Sequence, residues 1–174
     1  PRRQRQMCIR DRFSTTADGT LNGGTLYYNS TGSSATTSTV NVAVTVGVDS
    51  VAGQSTGVFY FDGVEKPANY SLVRGSTYIF DQSDNSNEVY GGANHPLMFS
   101  TGPGGDHGGH GHYMNGVTYK LDGSVVSMAA YVSGFNAATS RTVTWTVPTS
   151  APSTMYYWCH YHTGQGNSLS LIHI

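Results

Sequence analysis

The chain has 174 residues, room for one ordinary domain and too few for two. Only 11% are charged and 37% hydrophobic, with 22 Gly and 12 Tyr beside abundant Ser and Thr. That turn-rich, strand-forming composition excludes a disordered charged tail, and no run of about 18 apolar residues offers a transmembrane helix. The net charge of −1 hides an asymmetry. Arg2, Arg3, Arg5, Arg10 and Arg12 crowd the opening, and without residues 1–12 four basic residues face nine acidic ones, a net charge of −5. An acidic body with two Lys grips phosphate backbones poorly, so no nucleic-acid partner is expected.

The opening PRRQRQMCIRDR is basic, but no apolar stretch follows it, so it does not read as a secretory signal. It resembles translated adapter read-through at the ends of assembled sequencing reads, and the closing LSLIHI looks alike. Residues 1–12 and 168–174 are therefore read as non-native scars, and the chain as an internal piece of a longer protein. Cys8 leaves with the opening. Cys159 is then the one cysteine to explain, and a single cysteine makes no intrachain disulfide.

Residues 13–39, rich in Ser, Thr, Gly and Asn, read as a linker, with Leu26-Tyr27-Tyr28 the tail of a preceding unit. Asn29-Ser30-Thr31 and Asn69-Tyr70-Ser71 match the glycosylation sequon, which is informative only in a eukaryotic secretory context. The domain spans 40–167. Val40, Val42, Val44 and Val46 alternate with small or polar residues, the period of a half-buried strand. Val58 to Phe61 is a second strand, closed by the turn pair Asp62-Gly63, and Thr77 to Phe80 is a third. Leu97 to Phe99 follows His95-Pro96, Thr142 to Val147 alternates again, and Met155 to Trp158 runs into Cys159. One segment breaks the pattern: Val125, Met128, Ala129, Val132 and Phe135 fall on one helical face, with Ser124 as the expected cap. Six or more short strands and one short helix in a connection predict an all-β Greek-key sandwich or barrel.

Six of the seven histidines lie between positions 95 and 162. Cys159, His162 and Gln165 follow one another at three-residue steps, and His95 stands at the start of an earlier strand. Copper that cycles between Cu(I) and Cu(II) is served by one thiolate, two imidazoles and a weak axial donor. A tight loop after a strand can supply the thiolate, one imidazole and the axial donor, and a neighbouring strand the other imidazole. Against this stand plainer readings: a buried cysteine as a small hydrophobe, His95 as a surface histidine, Gln165 as polar surface. His160 points away from the ligand face if the segment is extended. A second group, His107, His110 and His112, could hold another metal, although six glycines between 102 and 111 favour a flexible, solvated loop.

Two stretches, Asn94-His95-Pro96-Leu97-Met98-Phe99 and Tyr156-Tyr157-Trp158-Cys159-His160-Tyr161-His162-Thr163-Gly164-Gln165-Gly166, resemble the cupredoxins, the blue-copper family, over roughly residues 40–167. The resemblance implies a Greek-key sandwich holding one copper ion, with His95 and His162 as imidazole ligands, Cys159 as thiolate and Gln165 in the axial position. Most cupredoxins place Met there and some place Gln, a harder donor that favours Cu(II) and lowers the potential. More narrowly, the chain is similar to cupredoxin-like domains of marine bacteriophage virion and tail-fibre proteins, which share a Phe-Asp-Gln-Ser-Asp stretch (Phe80 to Asp84). It departs from their ending at Trp158, Thr163 and Gln165.

Two functions are compatible with this resemblance. A one-electron carrier would meet a redox partner protein through the edge of His162. A virion or tail-fibre module would use the sandwich as a scaffold among other fibre domains, with the metal a staple or absent. Either implies an extracytoplasmic or virion-surface location. An enzymatic role is not expected: oxidases and reductases of this kind need further copper centres, and no nucleophile motif or carboxylate pair is in place.

Overall fold

The computed structural model describes residues 37–173. The basic opening at 1–12, its Cys8, the first sequon and nearly all of the linker at 13–39 lie outside the described residues.

Among the described residues eleven strands form two sheets. The first has seven strands in the order β3-β2-β1-β5-β9-β7-β8: β1 Thr39–Gly47, β2 Val58–Phe61, β3 Val64–Glu65, β5 Thr77–Asp81, β7 Val117–Leu121, β8 Ser124–Val126 and β9 Arg141–Thr146. The second has the order β4-β11-β10-β6, from Tyr70–Val73, Ser168–Ile172, Thr154–Cys159 and Leu97–Ser100. Most neighbours are antiparallel, but β1 runs parallel to β5 and β4 parallel to β11. The protein is an all-β sandwich with short helical insertions, as expected. Among the described residues no helix is long and apolar enough to cross a membrane.

Period-2 patterning builds the core between the sheets. Val42, Val44 and Val46 of β1, Tyr78 and Phe80 of β5 and Val143 and Trp145 of β9 turn inward. They meet Leu97 and Phe99 of β6, Met155 and Tyr157 of β10 and Leu169 and Leu171 of β11. Phe61, Phe80, Phe99 and Trp145 make a continuous aromatic row, with successive centroids 5.4, 5.3 and 4.7 Å apart. All four residues of β6 are buried although it is an edge strand. The following loop covers it, and the Tyr113 N–H donates to the Phe99 carbonyl at 2.7 Å.

Two expectations are corrected. The sandwich does not end at residue 167: Ser168–Ile172, read as foreign to the domain, is the inner strand β11, paired with β10 and β4, with Leu169 and Leu171 buried. Its alternation of Leu with Ser fits a strand buried on one face. The helix is also shorter than its apolar spacing predicts. It runs Met128–Gly134 (α2), capped by Ser127, whose hydroxyl accepts from the Ala130 N–H at 3.1 Å. Residues 124–126 are instead β8, the second arm of a hairpin with β7, and Val125 is largely exposed. The turn Asp122-Gly123, with φ of 48° and 79°, decides this, because two positive φ values in sequence close a tight hairpin. Tyr131 of α2 and Phe135 at its end are the side chains it buries.

Candidate metal centre

β6 and β10 are antiparallel neighbours, with Leu97 opposite Cys159. The residue two before Leu97 and the last residue of β10 therefore meet at one end of the sheet. The ladder continues one step beyond the strands, the His160 N–H donating to the Pro96 carbonyl at 2.9 Å. The chain then turns back through 161–167 into β11, carrying His162 and Gln165 over the same end. Gly166 makes that return possible: a Cβ there would collide with the Tyr157 carbonyl oxygen.

His95, Cys159 and His162 come together, one nitrogen of each imidazole and the thiol sulfur all lying within 4.8 Å of one another. Cys159 Sγ is 3.4 Å from His162 Nδ1 and 3.8 Å from His95 Nδ1. Gln165 joins them, its Oε1 2.9 Å from His95 Nδ1. His95, Cys159 and Gln165 are fully buried, and His162 alone of the four reaches solvent. The surface reading of His95 and Gln165 therefore does not hold.

Hydrogen bonds around the site set what these atoms offer. His95 Nε2 lies 2.9 Å from the Tyr90 carbonyl oxygen, which only accepts, and the tautomer with its proton on Nε2 satisfies that contact. In the neutral ring Nδ1 is then a bare lone pair. The Gln165 amide is oriented the same way: its Nε2 donates to the Thr56 carbonyl at 2.6 Å, which leaves Oε1 facing His95. Two acceptors thus face each other at 2.9 Å with the thiol beside them. A proton or a metal cation between them relieves that contact. The donor set therefore suits a cation held by nitrogen, sulfur and an amide oxygen.

Burial pushes the Cys159 thiol up to about 12, although the backbone N–H groups of Tyr161 and His162 partly offset this by favouring the thiolate. Without a metal, Cys159 is a neutral thiol at pH 7. Burial, and then the neighbouring His95, hold His162 below the ordinary histidine range, so that it too is neutral and has a lone pair to offer.

A buried polar network behind His95 was not singled out among the candidate residues. Gln82 Nε2 donates to the His95 carbonyl at 2.7 Å and to Asn87 Oδ1 at 2.9 Å. Gln82 Oε1 accepts from the Leu97 N–H at 2.8 Å and the Tyr131 hydroxyl at 3.0 Å. Asn87, in a helical turn Ser86–Val89 (α1), donates to the Val44 carbonyl at 2.6 Å, and its own carbonyl accepts from the His95 N–H at 2.8 Å. The Gln82 amide and the main-chain carbonyl of Asn87 fix the main chain on both sides of His95. Gln82 belongs to the Phe80 to Asp84 stretch already noticed, which was the available signal.

His107, His110 and His112 do not converge on one point. The loop is folded rather than open, with a 3-10 turn at Gly105–Gly108 flanked by Gly104 and Gly109 in left-handed conformation. His107 Nε2 lies 3.2 Å from the Cys159 carbonyl, and His110 is exposed with its ring over Gly102. His112 is bound to Asp106, Nδ1 to Oδ2, at 3.1 Å. His160 turns away from the Cys159 ligand face, as expected, and its ring lies 6.4 Å from that of Trp158.

No protein-family model matches the chain, and no curated protein does. Among solved structures it is similar to a multi-copper oxidase from Pediococcus acidilactici, with 16% identity and a TM-score of 0.39. The match covers 88% of this chain and 30% of that one. So low a score establishes no kinship.

Proposed function

We propose that the protein binds one copper ion through His95 Nδ1, Cys159 Sγ and His162 Nδ1, with Gln165 Oε1 as fourth donor, and carries one electron. The observation behind this reading is the pair of acceptors, His95 Nδ1 and Gln165 Oε1, turned towards each other beside the thiol. Copper would supply the Cu(I)/Cu(II) couple. The chain supplies everything that tunes it. Tyr90 and Thr56 carbonyls hold the two buried donors in orientation, Gln82 and Asn87 hold the main chain of His95, and two backbone N–H groups favour the Cys159 thiolate. Such a prearranged set leaves little to reorganise between oxidation states. His162 reaches the surface beside a shallow cleft of about 200 Å³ shared with Trp158 and Pro103, and its edge is the proposed electron exit.

The test is a Cu(II) titration of the chain with visible absorption and EPR, beside Cys159→Ala. An intense thiolate-to-copper band that disappears in the variant is expected. Equal binding by both, with no such band, would overturn the reading and leave the sandwich as a scaffold.

A further inference from the structure

Beyond the Cys159 centre, two imidazole nitrogens are buried with no hydrogen-bond partner, His112 Nε2 and His160 Nδ1, as is the Nε1–H of Trp158 beside them, a donor that a metal-bound water could meet. Their rings lie 5.8 Å apart, centroid to centroid, and are tilted by 34°. Trp158 positions both, its ring 4.8 Å from His112 and 6.4 Å from His160. Trp158 is itself pinned by Gly105, where a Cβ would collide with the indole. A desolvated nitrogen without a partner is costly, so two in neighbouring rings call for a shared occupant.

Asp106 shows what the His112 nitrogen offers. Its Oδ2 lies 3.1 Å from His112 Nδ1 and can only accept, so Nδ1 carries a proton, and in the neutral ring Nε2 is then a lone pair. A carboxylate behind the far nitrogen of an imidazole is the usual support of a metal-binding histidine: it fixes the tautomer and raises the basicity of the free nitrogen. We propose that His112 Nε2 and His160 Nδ1 form a second metal site, for an imidazole-seeking divalent cation of the Zn(II), Ni(II) or Cu(II) class. Water completes its coordination, and the half-exposed Asp106 supplies charge. The site differs from one built of His107, His110 and His112, because only the last of these takes part. It would staple the 101–113 loop to the start of the ligand loop.

Zn(II) titration by calorimetry tests this on the full chain. His112→Gln and His160→Gln should each bind one equivalent fewer than the parent, whereas His107→Gln and His110→Gln should bind as many as the parent. The same one-equivalent difference is expected in a Cys159→Ser parent, which keeps the outcome separate from that of the copper reading. Asp106→Asn, changed at a half-exposed carboxylate, should keep the stoichiometry and weaken the site about 10–100-fold, a readout that does not depend on replacing either ligand. Unchanged Zn(II) stoichiometry in both Gln variants, a loss that follows His107 or His110 instead, or unchanged affinity in Asp106→Asn would overturn it.

Discussion

Replacing Gln82 by Leu should damage the fold and the metal centre together. Gln82 is fully buried, and its side chain serves four groups: the His95 carbonyl, the Leu97 N–H, the Asn87 amide and the Tyr131 hydroxyl. Leu keeps much of the volume and satisfies none of them. Asn87 and Tyr131 have side-chain torsions with which to adjust, but the carbonyl of His95 and the N–H of Leu97 belong to main chain held by the Asn87 carbonyl and by the pairing of β6 with β10. At about 1–3 kcal/mol for each buried group left without a partner, those two alone set a loss of about 2–6 kcal/mol. For a domain of this size that is a fall in Tm of about 8–24 °C. The assay is thermal unfolding of the metal-free protein, with urea unfolding to confirm that cooperativity persists. Copper titration of the folded variant should also show weaker binding, because the His95 main chain has lost its support on one side. A fall of less than about 4 °C, equivalent to about 1 kcal/mol, together with unchanged copper affinity, would refute the assignment of Gln82 as the residue that holds His95.

Other perturbations follow from the same structure. Arg141 is buried, donates to the Phe135, Ala138 and Gln82 carbonyls and pairs with Glu88 at 2.6 Å. Arg141→Ala should therefore cost about 3–5 kcal/mol in urea unfolding, since it leaves a charge and three carbonyls without a partner. Gly166→Ala should weaken copper binding more than it lowers Tm, because the added Cβ displaces the return loop from the Tyr157 carbonyl; calorimetry beside thermal unfolding separates the two. Burial raises the folded Cys159 thiol to about 12, above its usual 9.0. Its contribution is complete below pH 9 and is lost as pH rises from 9 to 12. Metal-free protein should accordingly lose about 1.4 kcal/mol per pH unit above pH 9 from this group. Urea unfolding at pH 9 to 10 should show a steeper slope in the wild type than in Cys159→Ala, the raised tyrosines adding equally to both. The same protonated thiol means that metal binding near pH 7 releases about one proton, to be read by calorimetry in buffers of different ionisation enthalpy.

Much of the candidate centre is legible in the chain because its chemistry is local. Cys159, His162 and Gln165 share one short segment, and thiolate with imidazole at that spacing already suggests copper. Strand patterning is equally local: the Val alternation at 40–46 and the Thr-Val-Trp alternation at 142–147 both become strands with the expected inward faces. Turn chemistry was present but outweighed. Asp122-Gly123 makes a hairpin, and the apolar spacing from Val125 to Phe135 hid it, since short segments satisfy both periods. What no local pattern contains is pairing across the chain. That His95 lies beside Cys159, 64 residues later, depends on the register of β6 against β10. That Gln165 turns its oxygen inward depends on a carbonyl at Thr56, 109 residues away in sequence, and that His95 presents Nδ1 depends on the carbonyl of Tyr90. Donor types, strand periods and the all-β class are legible in the chain because each is a property of neighbouring residues. Burial, tautomer and amide orientation were decided only by the tertiary structure, because each is set by main-chain groups brought from distant segments as the two sheets close.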